Sequence, residues 1–162
     1  MTAAALWLPW LAAAAAASGA AIIEPQTGLG FDPPPGFAAR IDAPLSGDAQ
    51  ITASGPRERC RIIFAARTPP AGALPAPMEW RARVQAQLER MWPKVEVEPF
   101  AAQVPHGAFA VAGTADQPGA VLLYVFENMR GRTTIFCLPS GPVPLAGQRR
   151  ETDRIARAVR LP

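Results

Sequence analysis

Residues 121–126 read VLLYVF, apolar at every position, and residues 133–138 read TTIFCL after a turn at residues 128–131. A strand apolar on both faces must be covered on both faces. This hairpin, residues 120–138, is therefore expected at the centre of the core. Residues 58–67, ERCRIIFAAR, alternate cleanly. Cys60, Ile62, Phe64 and Ala66 fall on one face, and Arg57, Arg59, Arg61, Ile63 and Ala65 on the other. The second face begins polar and ends apolar, which predicts a cover over its end alone. Val95, Val97 and Pro99 alternate with Glu96 and Glu98, and Phe109 and Val111 with Ala110 and Ala112, giving two more strands. Residues 104–107, VPHG, read as the turn between them, and residues 115–119, ADQPG, as a hairpin turn.

The early chain is less regular. Residues 22–26 suit a short edge strand and residues 50–54 a weak one. Leu29 and Phe31 alternate with Gly30 and Asp32, and Phe37, Ala39 and Ile41 resume the alternation. Pro33, Pro34 and Pro35 between them cannot be strand interior, because none can donate to a ladder. The pattern predicts a short strand, a Pro-rich turn and a second short strand.

Two segments change the period. Trp80, Val84, Leu88 and Met91 stand at i, i+4, i+8 and i+11, one apolar helical stripe. Pro77 suits the first turn, Glu79 complements the helix dipole, and Pro93 is expected to end the helix at Trp92. Residues 145–159 form a closing amphipathic helix, with Leu145, Arg149, Thr152, Ile155, Ala156 and Val159 inward. Strand runs that do not alternate strictly with helices imply an α+β domain: an antiparallel sheet covered by two amphipathic helices.

Composition adds a compartment. Residues 1–21, MTAAALWLPWLAAAAAASGAA, have an apolar centre ending in small residues, the pattern of a cleaved secretory signal. A buried Ala-rich helix or a retained anchor are the alternatives. No later segment is long and apolar enough to span a bilayer. Residues 22–162 then make one domain, expected in the periplasm or outside the cell. Arginine supplies all the positive side chains except Lys94, and Ala, Gly and Pro abound, which fits the coding bias of a GC-rich bacterial genome. The net charge of +3 is mild and argues against a nucleic-acid binder. In an oxidising compartment Cys60 and Cys137 can form a disulfide closing 77 residues; the alternative is two buried thiols. Two lone cysteines make neither a zinc site nor a CxxC redox motif.

Catalytic chemistry finds little support. His106 stands alone, and Ser46, Ser54 and Ser140 lie in no nucleophile motif. No Gly-rich phosphate loop joins a strand to a helix. Glu96 and Glu98 read as a solvated strand face, and Asp116 and Glu127 as ordinary turn and strand-end acids. The sequence indicates no metal and no cofactor. The most suggestive group is Arg57, Arg59 and Arg61 at period two, with Arg130 and Arg132 in the hairpin turn. Were the strands neighbours, the five could form one basic surface for an acidic partner or a lipid headgroup. Neutralisation by surface carboxylates such as Glu96 and Glu98 is the alternative.

The segment GLGFDPPPGF, followed by a loop, a strong strand, a helix ending in Trp-Pro, an antiparallel meander and a closing helix, resembles the PsbP-like domains. The likeness spans residues 28–161. It implies an opening hairpin and a central antiparallel sheet between helices. It also implies a non-enzymatic protein that binds or stabilises a larger assembly, and it carries no catalytic residues across. The expected function is thus that of an exported interaction or assembly factor with an unidentified protein partner. A periplasmic module binding a small or anionic ligand is the alternative, and a hydrolase or inhibitor a weaker third.

Overall fold

The computed structural model describes residues 19–42, 48–68, 72–102, 104–113, 120–139 and 145–162. The expected signal falls almost wholly outside them, as do the ADQPG turn, Ser46, Ser140 and Asp116. The elements run β1 (Ile22–Ile23), β2 (Gly30–Phe31), β3 (Ala38–Asp42), β4 (Ala49–Ser54), β5 (Glu58–Ala66), α1 (Pro77–Glu89), β6 (Val97–Pro99), β7 (His106–Ala112), β8 (Val121–Glu127), β9 (Gly131–Pro139), α2 (Leu145–Ala158) and β10 (Val159–Arg160). The architecture is α+β. Seven antiparallel strands form one sheet in the order β3-β4-β5-β9-β8-β7-β6, and β1-β2-β10 form a small antiparallel sheet.

The doubly apolar β8 lies beside the middle strand, and β9, its hairpin partner, occupies the middle. Register pairs Cys60 of β5 with Cys137 of β9 directly across the ladder. Their sulfurs are 2.04 Å apart, a disulfide buried in the core. The sheet thus has two definable faces. The α2 side carries Ile51, Ile62, Phe64, Ile135, Leu122, Tyr124, Phe126 and Phe109, packed with Ile155 and Ala156 of α2 and with Leu29, Phe31 and Val159 of the small sheet. The opposite side carries Ala108, Ala110, Ala112, Leu123 and Val125 against Trp80, Val84 and Leu88 of α1. Alanine on three alternate positions of β7 lets this helix lie close to the strands.

Buried Tyr124 fixes α2 to the sheet. Its hydroxyl donates to Asp153 Oδ1 at 2.6 Å and lies 2.7 Å from Thr152 Oγ1. Burial and the hydrogen bond to Asp153 push this phenol well above its usual range. Arg149 sits over the Phe109 ring, 4.2 Å from its centroid, and pairs with Glu98 at 3.0 Å. That accounts for an arginine on the inner stripe of the helix: the stem covers apolar surface while the charge reaches a carboxylate at the sheet edge.

Several expectations require correction. The segments flanking the three prolines do not pair with each other. Gly30–Phe31 pairs with β1 and β10, whereas Ala38–Asp42 pairs with β4 as the edge of the large sheet. Three residues without a donor make a crossing between sheets, with Gly36 at φ 88° completing the bend. Helix α1 stops at Glu89 rather than Trp92. The amides of Met91 and Trp92 both turn back to Leu88 O, so Met91 leaves the stripe and is 54% exposed, while Trp92 packs against the α1 cluster. His106 belongs to β7 instead of a turn and stands opposite Glu127. Val159 leaves the closing helix for β10.

Removing the disulfide through Cys60→Ala with Cys137→Ala is expected to lower the unfolding free energy by about 4 kcal/mol, the loop-closure value for a cross-link of this span. Urea unfolding with and without reductant measures it. An unchanged midpoint would show that the strand pairing holds β5 and β9 together without the bond.

Candidate functional site

Helix α1 covers β6, β7 and β8 and extends only to the margin of β9. Beyond that margin the same face of β3, β4, β5 and β9 has no helix over it among the described residues. Register orders what it presents. One cross-strand row runs Ser54, Arg59, Leu138, and the next runs Arg40, Thr52, Arg61, Phe136. Arg40, Arg59 and Arg61 are exposed, and Leu138 is 50% exposed. Thr52 is buried between them, and its hydroxyl donates to Asp42, which also accepts from Arg40 and Gln50. Hydrogen bonds from Thr52 first, then Arg40, hold the Asp42 carboxyl below the usual range. Arg40 is therefore neutralised locally.

Arg59 and Arg61 differ from it. Among the described residues neither makes an ion pair, whereas Arg40, Arg83, Arg132, Arg149, Arg154 and Arg160 each do. The carboxylates expected to neutralise the stripe are elsewhere: Glu98 binds Arg149 across the sheet edge. Arg57 lies in the bend just before β5 and is exposed.

Arg130 and Arg132 do not join this group. Strands β5 and β9 are neighbours, but antiparallel register places Arg132 opposite Ala65, four residues along from Arg61, about 13 Å. Arg130 lies farther out, exposed in the turn. The structure thus brings Arg57, Arg59 and Arg61 to one end of the face and sends Arg130 and Arg132 to the other. That turn is shaped by Asn128, whose Oδ1 accepts from the amides of Arg130 and Gly131. A Cβ on Gly131 would come 2.4 Å from Ala65 O, so only glycine permits the close approach of β5 there.

At that far end Arg132 closes a polar cluster that sequence reasoning passed over. Glu127 Oε2 accepts from Trp80 Nε1 at 2.6 Å and from Arg132 Nη2 at 2.8 Å. Arg132 Nη1 donates to Gln87 Oε1. His106 Nε2 donates to Pro75 O at 2.8 Å, and its ring meets the edge of Trp80 at 5.5 Å. Burial alone would push the Glu127 carboxyl up. The hydrogen bonds from Trp80 and Arg132, with the charges of Arg132 and Arg67, outweigh it and hold Glu127 below the usual range. The cluster ties α1 and the chain leading into it to β7, β8 and β9. Its polar groups are committed to one another, which is the arrangement of an anchor. The signal in the sequence was the tryptophan at the start of a helix stripe: a buried indole N–H requires an acceptor.

On the α2 side Glu58 is buried near Glu151. Burial first and the neighbouring negative charge second push its carboxyl up, against the pull of Arg57. A shallow groove of about 420 Å³ lies at the other edge of the sheet, lined by Pro99, Phe100, Ala102, Val104, Pro105 and Gly107, with no ionisable side chain in its wall among the described residues. His106 and Ser54 stand at opposite ends of the sheet. Among the described residues no three His, Cys, Asp or Glu side chains gather as a metal site, and no helix is long and apolar enough to cross a membrane.

No protein-family model matches the chain, and no curated protein matches it. Among solved structures, the chain is similar to the solution structure of cyanobacterial PsbP (CyanoP) from Synechocystis sp. PCC 6803. The TM-score is 0.51 at 12% identity, covering 88% of this chain and 92% of that one. The chain has a PsbP-like fold.

Half-buried Glu127 and buried Glu58 are expected to act on stability with opposite signs. Glu127 has a depressed folded pKa, so its contribution is present above the unfolded carboxylate value and fades as pH falls through the folded one. Glu127→Gln should cost ~1–3 kcal/mol at pH 7, and the deficit should shrink in acid. Glu58 has a raised folded pKa, so its ionisation opposes folding as pH rises above the unfolded value. Glu58→Gln should stabilise at pH 7, and the gain should vanish in acid. Urea unfolding of both variants across pH 3 to 8 measures this; parallel profiles for the two would contradict the assignment.

Proposed function

We propose that this protein is an exported, non-catalytic interaction factor that docks a larger partner on the sheet face left open beside α1. The observation that carries the reading is the pair Arg59 and Arg61 beside Leu138, exposed on one sheet face, the arginines without ion pairs among the described residues. Unpaired arginine next to exposed aliphatic surface is the composition of an interface. The PsbP-like fold supports the reading as a scaffold. So does the polar chemistry: Trp80 and Arg132 are bonded to Glu127, and His106 to Pro75 O, instead of converging on a cavity. The disulfide fits an oxidising compartment.

A photo-crosslinking residue at position 138, installed in the full chain in its own host, tests the proposal. Discrete adducts of the exported form are expected, lost when Arg59→Glu and Arg61→Glu are introduced. The same probe at position 83, on the outer side of α1, should give none. Equal adducts from both positions, or none from position 138, would overturn the docking role.

A further inference from the structure

Resting on that docking reading, we infer that the partner presents an extended acidic segment with a carboxylate at every second residue, laid along β5. The inference comes from spacing and charge together. Arg59 and Arg61 are two residues apart on one face of a strand, which sets their Cα atoms about 6.8 Å apart. Carboxylates at i and i+2 of an extended chain repeat at the same interval, so two can meet Arg59 and Arg61 in register. Helical carboxylates at i and i+4 lie on one face at a rise of about 6 Å, but a helix laid on this row would meet Leu138 and Arg40 across its width.

The flanking residues agree with a strand-like guest. Leu138 stands beside Arg59 on one side and Ser54 on the other. The Arg61 row offers Phe136 on one side and Thr52 on the other, with the Thr52 hydroxyl already committed to Asp42. The arginines thus run in a line with apolar side chains on the β9 flank and small polar ones on the β4 flank. Guanidinium forks bind carboxylates in two-point geometry, and the intervening side chains of an alternating peptide point away from the sheet. Asp42 lies beyond Arg40 at the edge strand and is satisfied by three donors. It leaves the Arg59 and Arg61 rows without a competing carboxylate among the described residues.

Two fluorescent peptides of equal length and charge discriminate this partner. One alternates glutamate with threonine, and the other repeats two glutamates then two threonines, which removes carboxylates at i+2 on each face. Titration against the full chain by anisotropy is expected to show the alternating peptide binding about tenfold tighter than the paired one. Arg59→Gln with Arg61→Gln should abolish that preference while leaving the thermal midpoint unchanged. Arg130→Gln, at the far end of the face, should leave it intact. Equal binding of the two peptides, or a preference that survives the Gln pair, would overturn the inference. So would Arg59- and Arg61-dependent capture on phosphatidylglycerol vesicles with neither peptide bound. If position 138 still crosslinks in the host while the alternating peptide fails, docking stands and this class of partner falls.

Discussion

The register between β5 and β9 is the constraint on which the molecule depends. Cys60 faces Cys137, and that one pairing determines where every other side chain on both strands lies. A slip by one residue would exchange the faces and send Arg59 and Arg61 into the core. The disulfide makes that slip covalently impossible, and Gly131 admits the close approach of β5 at the other end. Because β9 is the middle strand, the faces of β8 and β4 follow from it through their own ladders. The apolar side receives α2 and the small sheet, and the other side divides between a helix-covered half and a half with no helix over it among the described residues.

That division has a local cause. Helix α1 carries three buried residues, Trp80, Val84 and Leu88, spanning two turns. Such a stripe covers about three strands and cannot reach β4 or β5. The helix is further pinned toward β7 and β8 because Trp80 must give its indole proton to Glu127 and Gln87 takes one from Arg132. The polar cluster therefore does more than satisfy buried groups. It decides which half of the face is covered, and by doing so leaves Arg59, Arg61 and Leu138 facing water.

What could be read from the sequence was what depends on periodicity. The alternation of residues 58–67 placed Cys60, Ile62 and Phe64 opposite Arg59 and Arg61, and the helical stripe identified Trp80, Val84 and Leu88. What periodicity does not contain is offset along a strand pair. Arg59 and Arg61 belong to the strand adjacent to that of Arg132, yet antiparallel pairing carries them to opposite ends. The GFDPPPGF segment misled for a related reason. Alternation on both sides of the prolines says that each flank is a strand but nothing about whether they pair, and the missing donors send them to different sheets. His106 was hidden by its neighbours, because Pro105 and Gly107 are turn residues by composition. Here a Cβ at position 107 would sit 2.2 Å from Phe100 O, so the glycine serves close strand packing.

The same geometry explains why buried charge is divided as it is. Glu127 and Arg132 face each other across β8 and β9 on the covered half, where Trp80 completes the shell of the carboxylate. A half-buried pair held by several hydrogen bonds fixes position more than it adds stability. Glu58 lies at the opposite end of the sheet on the α2 side, with Glu151 near it and only Arg57 drawing it toward ionisation. Arg57, in the bend that leads into β5, is thus drawn toward Glu58.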